Sequence, residues 1–258
     1  MSRLVALLMV PLAASALLPF ASAQNRLPVV YELRTYWSPE GKLDDLHGRF
    51  RNHTTKLFEK HGMTNVGYWA PIAAQENKLI YVLSYPSVEA RHAAWKAFAA
   101  DPAWQKVKKE TEAKGPIVSK VEWYLMQSTD YSPAPKAANI GDRVFELREY
   151  VATKGNLDNL NARFRDHTVK LFEKHGMTNV GYWTPIAGQK SAPENFLVYI
   201  LAHKSQDAAK QSFDAFRQDP AWIAARKASE EKAGGSLTEP KGGVKSTFMK
   251  ATDYSPIK

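Results

Sequence analysis

The string KLFEKHGMTNVGYW occurs twice without a change, at Lys56–Trp69 and at Lys170–Trp183. Over the wider frames Tyr31–Gln75 and Phe145–Gln189, offset by 114, 31 of 45 positions are identical, so the 258-residue chain is an internal duplication. A repeat of roughly 100–115 residues is too long for a solenoid period and long enough to own a core, so the expected arrangement is two pseudo-symmetric units packed on each other. The copies diverge unevenly, since Pro86–Trp104 and Lys204–Trp222 agree at only 8 of 19 positions.

Each copy reads as the same string of elements. Val29–Trp37 is β-branched, aromatic and alternating, which predicts a strand with Tyr31, Leu33 and Thr35 on one face and Glu32, Arg34 and Tyr36 on the other. A turn at Ser38–Gly41 leads into a long helix whose Leu43, Leu46, Phe50, His53, Leu57 and His61 fall on one stripe, closed by Gly62. Thr64–Ile72 and Leu79–Tyr85 are the middle strands. Ser87 opens a second helix as its N-cap, Asp101-Pro102 restarts it, and Val118–Gln127 is the fourth strand. The order β-α-β-β-α-β is that of a ferredoxin-like α+β unit.

Residues 24–128 form the first repeat, Thr129–Asp142 a linker and 143–258 the second repeat. There the strands are Arg143–Val151, Thr178–Ile186, Phe196–His203 and Val244–Ala251, with helices at Leu157–His175, from Ser205 and from Asp219-Pro220. TDYSP follows the last strand of both copies, at Thr129–Pro133 and Thr252–Pro256. An insertion, Lys190–Pro193, lengthens one hairpin loop of the second copy.

Arg3, the apolar run Leu4–Leu18 and Ala21-Ser22-Ala23 have the three parts of a secretory signal, which predicts cleavage after Ala23 and a periplasmic or secreted protein. The run is interrupted by Pro11 and bounded by Pro19, and falls short of the ~20 residues of a membrane span, so no integral membrane protein is expected after processing. The chain has no cysteine, which excludes disulfides, iron–sulfur clusters and thiol nucleophiles. Its net charge of +9, or +8 once Arg3 is removed, favours anionic partners, but the basic residues are scattered among acids and predict no nucleic-acid stripe. No HExxH, phosphate loop or serine elbow is present, and the histidines His53 and His61 lie eight apart, so neither a metal nor a cofactor is expected.

YELRTY followed by a Pro/Gly turn (Tyr31–Gly41), EKHG (Glu59–Gly62) and VGYW (Val66–Trp69), repeated as FELREY, EKHG and VGYW in the second copy, resemble the NIPSNAP family over almost the whole mature chain. The resemblance implies a dimeric α/β barrel, here with both partners fused in one chain, two sheets facing each other around a central cavity and helices outside. Its wider superfamily includes cofactor-free monooxygenases, isomerase-like enzymes and haem-handling proteins, while the family itself carries no settled activity. The mitochondrial and vesicle-related partners of eukaryotic relatives do not carry over to a chain with an export signal.

In such a barrel Glu32, Arg34 and Tyr36, with Glu146, Arg148 and Tyr150 opposite, are expected to line the interior, where the arginines bind an anionic ligand and the carboxylates orient it. The competing reading is a satisfied Glu–Arg network that specifies how elements meet. Trp69 and Trp183 are candidates for the aromatic wall of the same pocket or for core packing, and Trp104 and Trp222 read as packing residues. His53 and His167, on the helical stripes, are the candidate general bases of an enzyme, or else core histidines; His61 and His175 sit where a cationic ring meets a helix C-terminus. Three functions follow: a small-molecule binder, a cofactor-free monooxygenase or isomerase, and a non-catalytic interaction scaffold. Further homo-oligomerisation is compatible with all three.

Overall fold

The computed structural model describes residues 29–73, 76–188 and 194–258. The expected export signal (residues 1–23) and the insertion Lys190–Pro193 lie outside the described residues.

The alternating runs become β1 (Val30–Trp37), β2 (Thr64–Pro71), β3 (Lys78–Tyr85) and β4 (Lys120–Ser128) in the first repeat, and β5 (Val144–Val151), β6 (Thr178–Pro185), β7 (Phe196–His203) and β8 (Val244–Ala251) in the second. All pairings between these eight strands are antiparallel, and the strands close in the order β1-β3-β2-β8-β5-β7-β6-β4. Each repeat is therefore one ferredoxin-like sheet, and the two join at the seams β2–β8 and β4–β6. Closure removes the four sheet edges that separate repeats would expose.

Helices cover the outside of the barrel. In the first repeat α1 (Leu43–Arg49), a π-helical segment (Phe50–Thr54) and α2 (Thr55–Lys60) run on without a break. After them α3 (Val88–Ala100) starts at Ser87, whose hydroxyl accepts from the Ala90 amide, and α4 (Pro102–Thr111) at Asp101, whose carboxylate accepts from the Ala103 amide. The second repeat copies this with α5 (Leu157–Arg163), a π segment (Phe164–Thr168), α6 (Val169–Lys174), α7 (Gln206–Gln218) and α8 (Pro220–Ala233). Among the described residues no helix is long and apolar enough to cross a membrane.

The barrel interior is apolar. Tyr31, Leu33, Trp69, Ile80, Val82 and Met126 meet Phe145, Leu147, Trp183, Val198, Ile200 and Met249 there in one cluster. The strand faces are thus reversed from expectation: Glu32, Arg34, Tyr36, Glu146, Arg148 and Tyr150 lie on the outer face of the sheets, beneath the helices, and the barrel is filled where a polar cavity was expected. Alternation sorts a strand's faces but not which layer each face meets, and both layers here are buried. The charged set can lie under the helices because elements distant in sequence supply its hydrogen bonds.

Trp69 and Trp183 owe their place to a glycine two residues earlier. The β2–β3 and β6–β7 registers shift between Asn65 and Gly67 and between Asn179 and Gly181. Each indole folds back over its glycine, where a Cβ would overlap the ring. That contact accounts for the repeated VGYW: the bulge needs a residue with no side chain.

The two TDYSP segments cross over. Tyr254, at the end of the second repeat, packs on the first repeat's helical core, its hydroxyl 2.8 Å from His47 Nδ1, while Arg51 donates to both Asp253 oxygens at 2.6 and 2.8 Å. Tyr131, at the end of the first repeat, packs on the second, where its hydroxyl donates to Asn161 at 2.7 Å and Arg165 donates to both oxygens of Asp130 at the same distances, 2.6 and 2.8 Å. Each repeat is completed by the other's tail.

Candidate functional site

Beneath the helices the Glu and Arg side chains of β1 form a closed network. Arg34 donates to Glu32 at 2.7 Å, to the Tyr81 hydroxyl at 3.0 Å and to the Tyr36 hydroxyl at 3.2 Å. Glu32, fully buried, also accepts from Arg91 of α3 at 2.5 Å, from Tyr85 at 2.7 Å and from the Trp95 indole at 2.9 Å. Burial by itself would raise the Glu32 pKa, but the charge of Arg34 and the bond from Arg91 outweigh it and hold the carboxyl below its ordinary range.

The second repeat keeps the strand half of this network and changes the helix half. Arg148 donates to Glu146 at 2.5 Å, to Tyr199 at 2.9 Å and to Tyr150 at 3.0 Å. Glu146 faces His203 Nε2 at 3.0 Å and accepts from Ser246 at 2.5 Å. Its pKa is also lowered: burial pushes up, and His203, Arg148 and Ser246 together push further down. His203 Nδ1 is buried without a partner among the described residues.

Beside each network, between sheet and helices, is a pocket. The first, of about 290 Å³, is lined by Tyr36, Arg49, Phe50, Thr54, Phe58, Phe98, Trp104, Lys108 and Glu112, with Pro116, Val118 and Val121 at one side. The second, of about 320 Å³, has the matching residues Tyr150, Arg163, Phe164, Thr168, Phe172, Phe216, Trp222, Arg226 and Glu230. That the same wall recurs in two diverged copies marks it as a property of the repeat, not of one surface accident.

The most telling wall residue is the arginine ending α1 and α5. Arg49 is 3% exposed, its guanidinium carbon 5.2 Å from the Trp104 ring centroid and its Nη1 donating to Glu112 at 2.8 Å. Arg163 is 7% exposed, 5.1 Å from the Trp222 ring and 3.6 Å from Glu230. Burial lowers the Arg163 pKa, only partly offset by Glu230. In both arginines Nε is buried with no partner among the described residues, a donor left open where one anionic oxygen would satisfy it.

The π segments shape this wall. A π turn takes one residue more than an α turn, so the buried positions run Leu46, Phe50, Thr54, Phe58, each four apart. The expected stripe slips by one: Thr54 and Phe58 turn inward, while His53 and its counterpart His167 are exposed and belong to neither pocket. Thr54 and Thr168 turn their hydroxyls back to the carbonyls of Arg49 and Arg163, at 3.2 and 3.1 Å. His61 and His175 do not stand at bare helix ends; each ring is 2.8 Å from the capping carboxylate of the next helix, Asp101 or Asp219.

Of the sequence candidates, then, Tyr36, Arg148 and Tyr150 line these pockets, Glu32, Arg34 and Glu146 lie in the networks next to them, and Trp69 and Trp183 are in the barrel core at 0% and 1% exposure. Arg49, Arg163, Trp104 and Trp222 were missed as site residues. A signal was available, since Arg49-Phe50 and Arg163-Phe164 place an arginine directly beside a stripe aromatic in both copies.

Solved structures share the whole architecture. An anthrone oxidase-like protein aligns over 90% of this chain and 94% of its own with a TM-score of 0.56 at 14% identity. A putative monooxygenase from Lactobacillus acidophilus NCFM aligns over 87% and 94%, TM-score 0.53, 12% identity, and one from Fusobacterium nucleatum subsp. nucleatum ATCC 25586 over 87% and 92%, TM-score 0.51, 9% identity. At such identities the likeness is one of fold. No curated protein sequence matches the chain. The NIPSNAP family model matches twice, over residues 31–133 and 145–256, so that each repeat, with its crossing tail, is one copy of the family's unit. The chain belongs to the NIPSNAP family and carries that unit in tandem.

Proposed function

We propose that this chain is an exported protein that binds a small anionic or aromatic organic ligand in the helix–sheet pocket of each repeat. The observation that carries the reading is the buried arginine of each pocket, Arg49 or Arg163, stacked near a tryptophan with its Nε unpartnered among the described residues. A cation against an aromatic wall in a concave, mostly apolar site suits a carboxylate or phenolate on a flat ring. The export reading rests on the N-terminal sequence alone. Native mass spectrometry of the purified chain, with tryptophan-fluorescence titration of benzoate, tests the binding. The double variant Arg49→Gln/Arg163→Gln is expected to lose both carried ligand and benzoate, and undiminished binding by it overturns the proposal.

A cofactor-free monooxygenase is the second reading. It is favoured by the shared fold with proteins named as putative monooxygenases and as anthrone oxidase-like, and by the Glu146–His203 pair next to a pocket-lining arginine. Oxygen consumption with anthrone, abolished by His203→Phe, is the expected result; no uptake above the protein-free rate removes this reading.

A further inference from the structure

The two pockets share a plan but not a chemistry. In the first repeat α3 closes the floor. Arg91 bonds Glu32 and lies 4.4 Å from the Trp123 ring, and Trp95 lies 4.1 Å from the Arg34 guanidinium carbon, so Arg34 is sealed beneath them and does not line the pocket. In the second repeat the matching residues are Ala209, Phe213 and Ser246, and Arg148, with the Phe213 ring at 4.6 Å in the place of Trp95, reaches the pocket wall. Three smaller groups in place of an arginine and two tryptophans open the floor down to a guanidinium.

The rim changes in the same sense. Where the first pocket has Pro116 and Val118 the second has Ser236 and Thr238, and where the first repeat has Ala99 the second adds Arg217. Arg148, Arg163, Arg217 and Arg226 thus face the second pocket with Glu230 as the one lining carboxylate, against Arg49, Lys108 and Glu112 in the first. Neutralisation of the arginine ending α5 is looser: Glu112 holds Arg49 at 2.8 Å, whereas Glu230 is divided between Arg226 at 3.1 Å and Arg163 at 3.6 Å, while Arg148 and Arg217 are paired from behind the lining by Glu146 and Asp214, each at 2.5 Å. A surface groove of about 530 Å³ adjoins the second pocket, sharing Arg217, Trp222, Arg226 and Glu230 and adding the pair Lys227 and Glu231.

Resting on the ligand-binding reading above, we infer that the second repeat's pocket is specific for a small organic dianion, its two charged groups held by the Arg148–Arg163 floor and the Arg217–Arg226 rim, while the first takes a monoanion. Two separated cationic pairs reward a second negative charge that a single arginine cannot. Benzoate and phthalate, one ring with one or two carboxylates, are the probes, titrated calorimetrically into the purified chain. Phthalate is expected to bind one site per chain about tenfold more tightly than benzoate, the worth of one added charge-assisted bond. Arg217→Ala/Arg226→Ala, which alters exposed side chains, is expected to erase that preference, and Lys106→Ala, exposed and in neither pocket wall, to leave it. Equal affinity of the two probes, or loss of the preference in Lys106→Ala, overturns the inference while leaving the pockets as ligand sites. Silence of both probes at millimolar concentration overturns the parent reading and this one with it.

Discussion

Arg91 donates to Glu32 across 2.5 Å, so a residue of α3 and a residue of β1 are locked together beneath the first repeat's helices. Removing one partner of a buried pair costs about 3–5 kcal/mol because the other charge stays behind. Glu32→Gln strands two arginines, Arg34 and Arg91, whereas Glu146→Gln strands one, Arg148. Urea denaturation should therefore find Glu32→Gln the more damaging of the two, by about 1–2 kcal/mol. Equal losses would mean that Arg91 contributes nothing through Glu32.

Gly67→Ala and Gly181→Ala each force a methyl into the ring of Trp69 or Trp183. Overpacking of a filled core costs about 1–3 kcal/mol, and both variants should show it as a lower urea midpoint with near-ultraviolet circular dichroism altered in the tryptophan bands. A neutral Gly67→Ala would show that the indole moves aside freely.

The π segments offer a separation of stability from binding. Deleting the exposed Asn52, or Asp166 in the second copy, lets the helix close with ordinary i→i−4 bonds while the residues on either side keep their faces. Thermal melts of the deletions should hold at or above wild type, and the benzoate site of the edited repeat should weaken at least tenfold. Full binding by a stable deletion variant would strip the π turn of any role in the pocket.

Asp101 and Asp219 are held well below the ordinary aspartate range, Asp101 by bonds from Lys60, His61 and the Ala103 amide and Asp219 by the matching Lys174, His175 and Ala221. A depressed folded-state pKa gives stability that is complete above the unfolded value of 3.8 and is lost as pH falls below it. Asp101→Asn and Asp219→Asn should melt below wild type at pH 7, and the gap should narrow steadily once the pH drops under that value. A gap that stays constant down to acid pH would assign the effect to packing, not charge.

The duplication, the element order and the helix caps were legible because each rests on local chemistry: alternation for β1, serine before α3, Asp-Pro before α4. What escaped the sequence was set by layers. Glu32 and Arg34 were expected inside the barrel because polar residues on a shared face suggest a cavity, but Tyr85, Arg91 and Trp95, more than fifty positions away, are what make burial under the helices tolerable. His53 was placed on the apolar stripe by α-helical spacing, and a single π turn moved Thr54 into its place. Trp104 reads as packing, which it is, against Phe98 at 4.5 Å; that it also forms a pocket wall depends on Arg49, which Arg49-Phe50 sets beside the stripe but which only the fold brings to Trp104.

The crossing tails leave the linker, residues 134–142, chiefly a tether, whose own contacts are the Ala138 and Ile140 amides donating to the Pro256 and Lys258 carbonyls, Ile140 packing on the barrel core and Asp142 pairing with Lys250. Tyr131 and Tyr254 each dock on the opposite repeat, so the contacts that finish either half are intermolecular in kind and intramolecular only by covalent accident. Beyond those contacts, such a tether fixes the effective concentration of one half around the other at a value independent of how dilute the protein is. Cutting the chain there would leave every hydrogen bond available and turn a first-order closure into a second-order one, so that the intact barrel becomes a matter of protein concentration.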